Sequence, residues 1–102
     1  MGSSEIDFDI TRNVRLMENL KCRLLSDTSG LFEELANPGH EENDLAELLS
    51  DMIFTAYILG SRLGISNKVI DQTVIKKLKL AVLENSTALY GDYAQLLKHF
   101  EN

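Results

Sequence analysis

The sequence predicts an all-α fold: a bundle of four helices that assembles with another copy of itself. Two observations point to helices. The 102 residues contain one proline, Pro38, in the break "NPGH", and apolar residues on either side of it recur at intervals of three, four and seven. No alternating apolar and polar run is bounded by turns on both sides, so strands are not expected. The third observation concerns assembly. The segment "MIFTAYIL" is apolar nearly all round, and a helix of that kind must be covered on every side, which a chain this short achieves most readily by pairing with a second copy.

The elements follow in order. Residues 1–8 read as a flexible N-terminus and 9–102 as a single helical domain. Asp9 is placed to cap a long first helix whose stripe runs through Ile10, Val14, Met17, Leu24, Thr28, Leu31 and Leu35, with Lys21 interrupting it and Leu20 alongside. The second helix starts near Asn43 or Asp44 and stops at Gly64, a residue suited to the left-handed position after a helix. Its stripe is Leu45, Leu49, Met52, Ala56, Leu59 and Leu63. Asp44, Glu47 and Asp51 occupy a separate face, which Phe54 and Ile58 continue as apolar. Ser66 caps a third helix through "KVIDQTVIKKLKLAVLE", and Asp92 caps a short fourth with "YAQLLKHF" as its body.

Charge and cysteine content set the chemical context. Ten basic against 16 acidic residues leave a net charge of -6, which repels phosphate backbones and argues against DNA or RNA as partners. A single cysteine, Cys22, excludes an internal disulfide, and no run of 18 apolar residues marks a membrane span. The opening "MGSSEIDFD" lacks the basic and then apolar regions of a signal peptide. The expected location is cytoplasmic.

The carboxylates admit two readings. Helical bundles build magnesium or manganese sites from acids one turn apart on facing helices, because that spacing puts two hard oxygen ligands on one side. Glu47 and Asp51 have that spacing; Asp27 lies at the edge of the first stripe, with Glu34 two turns along the same face. The plainer reading makes all four solvated flanking charges. Glu41, Glu42 and Asp44 are explained by a helix N-terminus, which favours anions.

A resemblance then comes into view. The stretches "DFDITRNVRLMENLKCRLL", "LAELLSDMIFTAYILGSRLGIS" and "LYGDYAQLL" together span nearly the whole chain and resemble the MazG-like branch of the all-α nucleoside triphosphate pyrophosphohydrolases. The resemblance implies a helical bundle forming dimers or dimers of dimers, with magnesium held against a triphosphate by Glu-x-x-Glu on one helix and Glu-x-x-Asp on the next. Carried onto this chain, the first pair becomes Asp27 and Gly30 and the second becomes Leu48 and Asp51. Two of the four positions have no carboxylate. The phosphate-facing lysine becomes Lys76 or Lys77, while Ala81 and Glu84 stand where asparagine and arginine would follow.

Glu34 and Glu47 are the nearest acids that could substitute, giving a displaced set of Asp27, Glu34, Glu47 and Asp51 for Mg2+ or Mn2+, with Lys77 towards the nucleotide. Two functions follow. The first is a pyrophosphohydrolase-type protein, converting a nucleoside triphosphate to the monophosphate and pyrophosphate, with a depleted metal site and weak or lost catalysis. The second is a non-catalytic homo-oligomer acting as scaffold or regulator. Other residues add little. His40 and His99 have no histidine or cysteine partner at zinc-ligand spacing, Cys22 has no companion base, and Tyr90 and Tyr93 read as anchors of the last helix.

Overall fold

The computed structural model describes the backbone of residues 2–84 and 88–101 and the side chains of 9–84 and 88–101. Four α-helices account for it: α1 (Gly2–Ala36), α2 (Glu42–Arg62), α3 (Asn67–Glu84) and α4 (Tyr90–Glu101). There is no strand among the described residues. The chain divides into two compact units, Met1–Gly64 and Ile65–Asn102. Each is a hairpin of two packed helices, α1 with α2 and α3 with α4.

Helix α1 is longer than its stripe suggests. Residues 3–29 contain neither glycine nor proline, so nothing interrupts the helix, and it spans Gly2 to Ala36. Asp9 is therefore interior and caps nothing. The helix stops at Ala36 because the residue before Pro38 is driven out of the helical region. Asn37 then organises the turn: its Oδ1 accepts the Gly39 N–H at 3.0 Å and its carbonyl accepts the His40 N–H at 3.1 Å.

Helix α2 begins one residue before the earlier of its two expected starts. Glu41 precedes it in extended conformation without a side-chain cap, while Glu42 and Asp44 in the first turn meet the positive end of the helix dipole. The expected stop is found. Gly64 adopts φ 84°, and the Leu63 and Gly64 N–H groups close the last turn onto Leu59, Gly60 and Ser61 carbonyls. In the second unit, the Val69 N–H donates to Ser66 Oγ at 3.2 Å, so Ser66 caps α3 as its sequence indicates. Helix α4 starts at Tyr90, which moves Asp92 from the cap into the first turn.

The core is thin. Among the described residues, Leu78 of α3 is the one large apolar side chain buried outright, and Thr55 of α2 is the one buried polar residue. In the second unit Val74, Ile75, Tyr93, Leu97 and Phe100 are half-buried. Among the described residues no helix is long and apolar enough to cross a membrane.

Candidate functional site

The seam between α1 and α2 holds the candidate site. On α1, the half-buried residues include Leu20, Leu24, Asp27, Leu31 and Glu34; on α2 they include Leu45, Leu48, Asp51, Met52 and Leu59, with Thr55 fully buried. This seam is rotated from the stripes read off the sequence. Leu49, Ala56 and Leu63 face outward, while Leu48 and Thr55 turn in. The physical reason is that "MIFTAYIL" is apolar nearly all round and Leu48 and Leu49 offer two adjacent apolar sides, so periodicity leaves the inward side open and packing against α1 selects it.

One close approach fixes the register. A Cβ added to Gly30 would stand 3.4 Å from Leu48 Cδ2, so the two residues meet across the antiparallel hairpin. Equal rise along both helices then puts position 27 level with 51 and position 34 level with 44. A second contact agrees to within one residue: the Arg23 guanidinium carbon lies 5.9 Å from the centre of the Phe54 ring. Asp27 and Asp51 thus occupy the same level on facing helices.

Glu34 and Glu47 do not share that level. Along the helix axis Glu34 is about 10 Å from Asp27 and Glu47 about 6 Å from Asp51, at roughly 1.5 Å per residue. Glu47 is one turn from Asp51, a spacing at which two carboxylates can share an ion, whereas Glu34 is two turns from Asp27. Among the described residues, no three His, Cys, Asp or Glu side chains are grouped to hold a metal ion. Glu47 and Asp51 do line a common open groove of about 520 Å³ on α2, with Asn43, Ala46 and Ser50. Glu34 lies in the last turn of α1, where no basic residue balances it and the helix dipole opposes a negative charge.

Two polar atoms of the seam stand out. Asp27 Oδ2 and Thr55 Oγ1 are buried without a hydrogen-bond partner among the described residues. Such atoms each cost about 1–3 kcal/mol relative to a bonded state. The sequence gives no sign of Thr55, which lies on none of its assigned stripes, and the hydroxyls of Thr28 and Thr73 behave differently. Those two donate to the Leu24 and Val69 carbonyls at 2.8 Å.

The remaining candidates fall within one unit or the other. In the second unit Lys76 and Lys77 are exposed, and Lys77 borders an apolar groove of about 420 Å³ with Ile65, Val69, Ile70, Thr73 and Val74. Cys22 is free and exposed, and His40 Nδ1 lies 2.9 Å from the Asn37 carbonyl in the turn. Lys21 Nζ donates to Glu18 Oε1 at 2.9 Å on the outer face of α1; that hydrogen bond, then the opposite charge, raises the lysine pKa above its ordinary value.

Comparison with known proteins gives a family. The family model described as the MazG-like family matches residues 10–96, which takes in the whole seam and most of both hairpins. No curated protein and no solved structure matches the chain. The resemblance carried by the three quoted stretches is thereby confirmed: the chain belongs to the MazG-like family.

Proposed function

We propose that the chain keeps the bundle of the nucleoside triphosphate pyrophosphohydrolases, which release pyrophosphate and leave a monophosphate, with a metal site too depleted for efficient hydrolysis. The observation that carries this reading is the composition of the shared level and the turn beside it. Each helix contributes one carboxylate, Asp27 or Asp51, while the paired positions carry Gly30 and Leu48 in apolar contact. The donor set does not fit the four-carboxylate magnesium cradle that the family resemblance implies. Asp27 and Asp51 supply half its carboxylates, and the nearest other acids, Glu34 and Glu47, stand one turn from Gly30 and one residue from Leu48.

What this chain's own residues offer a nucleotide is modest. Within the first unit Asp27 and Asp51 are the remnant ligands for Mg2+ or Mn2+, and Glu47 extends the acidic groove; in the second, Lys77 is an exposed cation suited to a phosphate. The test is pyrophosphate release over a panel of canonical and modified nucleoside triphosphates with Mg2+ or Mn2+, beside Asp51→Ala. Release no faster than in the variant supports the reading. Metal-dependent turnover that Asp51→Ala abolishes rejects it.

A second reading, a homo-oligomer serving as scaffold or regulator, rests on a separate observation. On α2 the side chains of Ile53, Phe54 and Ile58 are 62%, 41% and 43% exposed. These add to exposed apolar residues on α1, Leu25 and Phe32 among them, and exposed apolar surface of this kind fits a protein contact. A second copy, in a dimer or dimer of dimers, would cover it. Light scattering or sedimentation of the unaltered chain reads the assembly directly, and a monomer at tens of micromolar would reject it.

A further inference from the structure

We infer that Leu48, seated against Gly30, is an apolar plug: it fills the space between α1 and α2 beside Asp27 and Asp51 and keeps a divalent cation out of the seam. The inference rests on the family reading above and goes past the loss of ligands to what replaced them. Leu48 Cδ2 comes to 3.4 Å from the point where a Gly30 Cβ would stand, so the leucine is directed at α1 and uses the room that the missing side chain leaves. Close-packed interiors leave few voids, and a glycine facing a leucine is one way to fill such a gap.

The same geometry makes the site recoverable. A carboxylate introduced at position 48 would leave α2 in the leucine's direction, into the seam and one turn from Asp51. Acids at that spacing present two hard oxygens on one side of a helix. Asp27 is level with Asp51 across the hairpin, and its Oδ2 is buried with no partner among the described residues. Three carboxylates on two facing helices would then surround the position that Leu48 holds.

The experiment is Mn2+ titration, read by electron paramagnetic resonance and by thermal shift, on the unaltered chain, Leu48→Glu and Leu48→Glu with Asp51→Ala. The plug predicts no saturable binding below millimolar Mn2+ for the unaltered chain. It predicts one ion per chain for Leu48→Glu, bound at least tenfold more tightly, and loss of that gain when Asp51 is also replaced. Leu48→Gln, similar in shape and uncharged, keeps the test informative if the glutamate variant does not fold; it should bind more tightly than the unaltered chain and more weakly than a carboxylate would.

Stoichiometric binding by the unaltered chain that Asp51→Ala abolishes would overturn the plug. So would folded Leu48→Glu and Leu48→Gln variants that bind no better than the unaltered chain. These outcomes are separable from failure of the functional reading, which appears as metal-dependent pyrophosphate release by the unaltered chain.

Discussion

Thr55→Val should stabilise the protein. Thr55 is 0% exposed and its Oγ1 has no hydrogen-bond partner among the described residues, so the hydroxyl loses its water on folding with no protein group to replace it. Leaving a buried polar group unsatisfied costs about 1–3 kcal/mol. Valine has nearly the same shape and a similar helix propensity, so its methyl takes the place of the hydroxyl without a large backbone term. The expected gain is about 1–2 kcal/mol, or roughly 4–8 °C in Tm for each kcal/mol in a domain of this size.

The assay is thermal unfolding followed by circular dichroism at one fixed protein concentration, because any assembly makes Tm depend on concentration. Thr28→Val and Thr73→Val are the controls. Their hydroxyls already donate to Leu24 and Val69 carbonyls, which also accept helix hydrogen bonds, so each change should lie within about 0.5 kcal/mol. A Tm lowered by several degrees in Thr55→Val would refute the reasoning. It would mean that the hydroxyl is bonded in solution and that its removal strands a buried partner.

Three further outcomes are expected. Gly64→Ala should cost about 1 kcal/mol in chemical denaturation, since φ 84° disfavours any Cβ even though a Cβ there would meet no atom within 4 Å. Ser66→Ala should cost about 1 kcal/mol through loss of the cap on the Val69 N–H, and Ser66→Asp should retain most of it. On the proposed assembly, Ile53→Glu together with Ile58→Glu should leave the helical content of the hairpin intact while shifting sedimentation towards the monomer, because both side chains are exposed on α2; an assembly unchanged by the pair would place the contact elsewhere.

Much of the fold is legible in the chain because its signals are local. Pro38 and Asn37 end α1, Gly64 supplies a left-handed residue after α2, and Ser66 offers an oxygen to the Val69 N–H; each depends on residues within four positions. Helix starts were less legible. Asp9 and Asp92 have the right chemistry for caps, yet α1 runs past Asp9 and α4 starts two residues before Asp92, since a capping residue does not by itself forbid helix on its N-terminal side.

The candidate site divides in the same way. The sequence by itself determined an all-α chain, the acids available to it and, through motifs spanning most of its length, the family. It also determined that Gly30 and Leu48 lack the oxygen that a carboxylate would bring. Only the tertiary structure decided which side of α2 meets α1, because the segment "MIFTAYIL" is apolar nearly all round and the neighbouring leucines Leu48 and Leu49 lie on different sides. That choice brings Leu48 onto Gly30, puts Asp27 level with Asp51, and leaves Thr55 Oγ1 in the seam without a partner among the described residues. Register between two helices depends on how side chains from distant parts of the chain fill a shared space, and spacing along one helix cannot specify it.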